Sequence, residues 1–145
     1  MNKPKIYLDN CTFNRPFDDQ GQMKIRLETE AKLYIQAGVK EKRYTLVWSY
    51  MLDYENDVNP YDERRDSIAP WADIANEYCP SSDEILSMGT TIMSHGIKTK
   101  DALHIACSIH SNFDYFITTD KKLLNKSIEG IKIVSPIDFV SETED

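Results

Sequence analysis

The apolar positions of this chain follow two alternating rhythms. Short runs rich in β-branched and aromatic residues, Lys5–Asp9, Thr45–Trp48, Tyr115–Thr118 and Ile131–Val134, predict strands, and Tyr78-Cys79 predicts a weaker one. Between them the period lengthens. Leu27, Ala31, Tyr34 and Ile35 recur at helical spacing within Gln22–Val39, which predicts a helix with that face buried and Gly38 as its terminator. Ser49 is placed to cap a helix from Tyr50 to Asn59-Pro60, and a second is expected over Tyr61–Ala69, where Pro70 forces a kink or restart. Ser81–Glu84 opens a helix reaching His95-Gly96, Thr99 caps the next, and a short one surrounds Leu123-Leu124. After the first strand, Asn14-Arg15-Pro16 closes off continuation. Strands alternating with helices imply an α/β fold with a mainly parallel sheet of four to five strands covered on both faces.

A length of 145 residues suits one domain, read here as residues 1–140 followed by an acidic tail, 141–145. No signal-like or membrane-spanning apolar run occurs, so a cytoplasmic location and no membrane partner are expected. Cys11, Cys79 and Cys107 are far apart, and His95, His104 and His110 supply no ligand pair. Both facts argue against a disulfide framework or a zinc site of the usual spacing. The net charge of −7 disfavours a broad nucleic-acid platform but not a local groove.

The acids carry the chemistry. Asp9 and Asp120 fall at the C-terminal ends of predicted strands, the edge of an open α/β sheet where binding sites form. Either alone reads as a cap; two ending separate strands favour a shared site. At about 100° per residue, Met51, Leu52, Tyr54 and Val58 make one apolar stripe, and Glu55 projects from its middle while Asp53 and Asp57 lie opposite. An inward acid needs a metal or a partner, with Arg or Lys the competing choice. Asp101 lies in the first turn of its helix at the border of the buried face. His104 flanks it, more as a packing residue than as a base.

These residues resemble those of PIN-domain proteins, similar to the VapC-like ribonuclease toxins. The resemblance rests on Ile6-Tyr-Leu-Asp9-Asn10, on Ser49 and Glu55, on Asp101-Ala-Leu-His-Ile-Ala106 and on Asp114-Tyr-Phe-Ile-Thr-Thr-Asp120. It implies a three-layer α/β/α PIN-like fold and an acidic quartet, Asp9, Glu55, Asp101 and Asp120, around Mg²⁺ or Mn²⁺. Thr119, with Thr118 as alternate, matches a hydroxyl near such sites. The Cys11–Phe17 loop departs from the plainer aliphatic segment of many toxins, and Asn10 and Asn14 within it are candidates for the scissile phosphate or a turn role. Arg15, Lys121 and Lys122 are candidate phosphate contacts. The expected activity is metal-dependent hydrolysis of RNA, by a toxin with an antitoxin partner or by a free-standing nuclease, in a chain that could form a homodimer. The alternative is a non-catalytic PIN-like module that binds RNA or protein. A haloacid-dehalogenase-like phosphatase would need an acid where Cys11 stands, and a receiver domain would need acids that the later strands lack.

Overall fold

A computed structural model describes residues 3–144. Five strands, β1 (Lys5–Leu8), β2 (Thr45–Ser49), β3 (Glu77–Cys79), β4 (Tyr115–Ile117) and β5 (Lys132–Val134), form one sheet in the order β3-β2-β1-β4-β5. Every pairing is parallel. The chain therefore starts mid-sheet, walks outward to β3, and returns on the far side of β1. Strand order reverses between β1 and β4, and a crevice opens at their carboxyl ends.

Alternation along the strands assigns the two faces. Tyr7 stacks on Phe116 and meets His104 edge-on, so this face lies under α7 (Thr99–His110), with α6 (Asp83–Met93) packed against it. On the other face Tyr115 packs edge-on against Phe139 of α9 (Pro136–Thr143), which lies against α2 (Met23–Lys40). The result is the three-layer α/β/α arrangement expected. Among the described residues, no helix is long and apolar enough to cross a membrane.

Several local expectations differ from the structure. A helix, α1 (Asn10–Asn14), follows β1 directly and runs into a 3-10 turn at Arg15–Phe17 that accepts Pro16 in its first turn, where no amide is needed. Gly38 does not end α2, which continues to Lys40; its missing side chain admits the Tyr44 ring, into which a Cβ would project. Nor does α2 bury the predicted stripe. Ile35 is interior, but Leu27 and Tyr34 are exposed, and Glu28, Lys32 and Gln36 turn inward instead. The reason is Arg15, whose guanidinium reaches buried Glu28 at 2.8 Å and fixes the rotation of the helix. On α3 (Tyr50–Asp57) Met51 and Leu52 are buried while Tyr54 and Val58 face out. Asn56 takes the inward place, donating to the Arg65 carbonyl at 3.1 Å.

Beyond α3, the chain forms α4 (Asp62–Ile68) and the single turn α5 (Trp71–Ile74), the restart at Pro70. Lys98, not Thr99, is the N-cap residue of α7. A further turn, α8 (Lys121–Leu124), separates β4 from β5. The acidic segment read as a tail extends α9 through Thr143, and Glu144 pairs with Arg43 at 2.6 Å.

Candidate active site

Asp9 leaves β1 at the crevice. Its amide donates to the Ile117 carbonyl at 2.9 Å, which keeps the ends of β1 and β4 together. One carboxylate oxygen caps α1 by accepting the Asn10 amide at 2.8 Å. The other accepts the Thr118 hydroxyl at 2.9 Å and the Cys11 thiol at 3.4 Å. Burial, reinforced by the charge of Asp9, pushes the Cys11 thiol up to about 12, so it stays protonated and can donate. The Thr118 oxygen also accepts the Asp120 amide at 3.1 Å. One buried hydroxyl thus locks the two acid-bearing ends into register. Thr119, the first choice from sequence, is buried nearby but makes no such bond among the described residues; the alternate, Thr118, does. Asp120 caps α8 through the Lys122 amide at 2.9 Å.

Glu55 is held differently. Its partner is His104, rather than a Lys or Arg, and the other imidazole nitrogen bonds the Tyr7 hydroxyl. Tyr7 in turn bonds Ser49 at 2.6 Å, and Ser49 accepts the Leu52 amide at 3.2 Å. The path runs from the Leu52 amide, which donates to Ser49, through the Ser49 and Tyr7 hydroxyls to Nδ1 of His104, and from Nε2 to the Glu55 carboxylate. The packing residue expected at His104 is therefore a connector between the sheet and the site. Burial alone would raise the Glu55 carboxyl, but the His104 bond, Lys100 and Asn10 outweigh it and hold it below its ordinary value.

Asp101 projects from the first turn of α7 and accepts no hydrogen bond among the described residues. Burial first, then the charges of Asp9 and Asp120, with Glu55 adding and His104 opposing, push its carboxyl up to about 6. All four expected acids therefore share one electrostatic field. They do not close into a cage, because among the described residues no three His, Cys, Asp or Glu side chains are grouped to hold an ion directly. Asn10 joins the set, its side-chain amide nitrogen donating to Glu55 at 3.4 Å while its side-chain oxygen, Oδ1, is buried without a partner.

The remaining candidates divide. Asn14 bonds the Asn10 carbonyl at 2.9 Å and the Asn59 amide at 3.3 Å, which makes it a corner brace. Arg15 is occupied by Glu28 and Asp18. Lys121 is exposed beside Asp120 and makes no ion pair among the described residues. Lys122 lines a cleft of about 180 Å³ together with Asp101, Asp120, Lys98 and Lys126, floored by Ile97 and Leu123. Lys98 and Lys126 were not legible as site residues, because they come from loops far apart in sequence. Lys126 donates to the His95 carbonyl at 3.0 Å and bridges those loops, and Gly96 makes the turn with φ +82°. A larger cavity of about 370 Å³, near Asp114 and Lys132 at the amino ends of β4 and β5, contains none of the four acids.

No protein-family model matches the chain, and no curated protein matches it. Among solved structures it is similar to the crystal structure of VapBC2 from Rickettsia felis bound to a DNA fragment from their promoter. The TM-score is 0.55 at 12% identity, and the match covers 89% of this chain and 96% of that one. At that identity the likeness is one of fold: a five-stranded parallel sheet between helical layers, consistent with a PIN-like three-layer architecture.

Proposed function

We propose that the protein is a ribonuclease that uses Mg²⁺ or Mn²⁺ to hydrolyse phosphodiesters at the crevice between β1 and β4. The observation that carries this reading is Asp101, a carboxyl without a hydrogen-bond donor, raised to about 6 by burial and by three neighbouring acids. Such a cluster is relieved by a hard cation, and an all-oxygen set selects Mg²⁺ or Mn²⁺ over zinc. The open spacing suits an ion that keeps several of its waters and takes only one or two carboxylates directly. Asp9, Asp101 and Asp120 would hold that ion and its waters, with Glu55 and the unpartnered Asn10 oxygen orienting the water on the β2 side. When bound, the ion supplies a water of lowered pKa and a counter-charge for the transition state. Lys98, Lys122 and Lys126 hold the phosphate chain at the acids despite the negative net charge. The likeness in fold to a VapBC2 chain supports extending the reading to the toxin of a toxin–antitoxin pair, restrained by a partner protein.

The test is incubation of purified protein with single-stranded and structured RNA, with Mn²⁺ or with chelator. Cleavage that needs the metal and is lost in Asp9→Asn and Asp120→Asn supports the reading. Cleavage that survives chelation, or persists in both variants, overturns it.

A further inference from the structure

Three exposed tyrosines carry a cation over the ring: Tyr34 has Arg43, Tyr61 has Arg64, and Tyr54 has Lys100, with Nζ at 5.5 Å from its ring centroid. The first two cations are neutralised, Arg43 by Glu41 and Glu144 and Arg64 by Asp18. Lys100 makes no ion pair among the described residues, and its charge reaches Glu55. Tyr54 adjoins Glu55 on α3, is 51% exposed, and its hydroxyl makes no hydrogen bond among the described residues. It is nevertheless held in place. Asp53, the residue before it, accepts the Trp48 indole at 2.7 Å and the Tyr78 hydroxyl at 2.9 Å, so α3 cannot roll to hide the ring.

We infer that Tyr54 and Lys100 form a station for one unpaired nucleotide of a single-stranded RNA, the base stacking on the ring and the adjoining phosphate on the ammonium. This rests on the ribonuclease reading and adds to it two residues that hold the strand beside the acids. Sheet order puts Tyr54 and the α8 end of the lysine cleft on opposite sides of Asp9, since α3 follows β2 and α8 follows β4 with β1 between them, while Lys98 and Lys100 both stand at the start of α7. A strand crossing the acids would meet Lys122 and Lys126 at α8, Lys98 and Lys100 at the start of α7, and Tyr54 on α3. An aromatic face with a neighbouring cation takes a base of any sequence, but only one that is not already stacked in a duplex.

The experiment is fluorescence anisotropy of 5′-labelled RNA, unpaired or fully duplexed, with Ca²⁺ replacing Mg²⁺. Alongside it, the wild type is assayed for Mn²⁺-dependent hydrolysis of bis(p-nitrophenyl) phosphate. Tyr54→Ala is expected to bind single strands about tenfold more weakly. Tyr54→Phe should retain wild-type affinity, since the face and not the hydroxyl is used, and Lys100→Ala should flatten the salt dependence. Duplex affinity should not follow the Tyr54→Ala loss. Equal single-strand affinity in Tyr54→Ala, or equal losses for both RNA forms, overturns the station. A wild type that hydrolyses the small diester while Tyr54→Ala binds normally sinks the station alone. One that binds strands through Tyr54 but hydrolyses nothing sinks the nuclease reading alone.

Discussion

His104 links Glu55 to Tyr7, so the acid on α3 is oriented from the centre of the sheet. Each group along this path is buried or half-buried, and each has its partner. Removing the imidazole takes one of the two bonds of the Tyr7 hydroxyl and one bond of the Glu55 carboxylate, and opens a cavity. His104→Ala is therefore expected to lower stability by about 2–4 kcal/mol, read from urea unfolding. His104→Gln should recover part of this, because an amide can both donate and accept. An alanine variant as stable as wild type would mean that the path has no structural weight.

Asp101 gives a pH signature of the opposite sign to an ordinary ion-paired acid. Its folded carboxyl stands at about 6, above the usual 3.8, so between those values the native state binds more protons than the unfolded one. Its penalty is absent below about pH 4 and complete above pH 6. Asp101→Asn should stabilise the metal-free protein by about 1 kcal/mol at pH 7, allowing for screening at a half-buried site, and by nothing at pH 4. In the wild type, Mg²⁺ should raise the thermal midpoint at pH 7.5 and do so less at pH 5, where the proton competes; at ten times Kd the gain is about 1.4 kcal/mol. Thermal scans at matched ionic strength, with and without the ion, check both. Destabilisation by Asp101→Asn at pH 7 would contradict the shared field.

Thr118 separates a bonded hydroxyl from a merely neighbouring one. Thr118→Val keeps the shape but withdraws the donor to Asp9 and the acceptor for the Asp120 amide. The expected cost is about 1–3 kcal/mol, with a matching fall in divalent-ion affinity as the two acids lose register. Thr119→Val is expected to cost well under half as much. Denaturant melts and calorimetric titration of Mn²⁺ on the two variants decide it, and equal effects would remove Thr118 from its bridging role.

The strands and the parallel sheet were legible because strand runs and short capping signals are local; the charges of Asp9, Glu55 and Asp120 do reach Asp101, although Glu55 gets there without the predicted stripe, since Tyr54 and Val58 face out. What pairs with what was not legible. His104 lies one turn from Asp101 in sequence and reads as a packing residue flanking it, yet the fold brings Glu55 to the imidazole. Arg15 looked available for phosphate until the fold delivered Glu28 to it across thirteen positions. The same pair misled the helix reading, since an interior ion pair outweighed the apolar stripe of Leu27 and Tyr34 in setting the roll of α2. Lys98 and Lys126 escaped notice because nothing in a sequence announces that two loops share a cleft.

Gly38 shows how such a misreading becomes a measurement. By helix propensity alone a glycine inside a helix should gain from alanine, which is favoured over glycine by about 1 kcal/mol in a helix interior. In the folded protein it lies inside α2, which runs to Lys40, with the Tyr44 ring where a Cβ would stand. That ring is itself pinned edge-on to Phe139 at a centroid distance of 5.2 Å, so it cannot swing away freely. The overlap should exceed the propensity gain, and Gly38→Ala is expected to lose about 1–3 kcal/mol net. Pairing it with Tyr44→Leu, whose smaller side chain removes the overlap, should make the alanine neutral or favourable in that background. Chemical denaturation of the four proteins in this cycle gives the coupling directly. A coupling near zero would show that the glycine is required by something other than the approach of Tyr44.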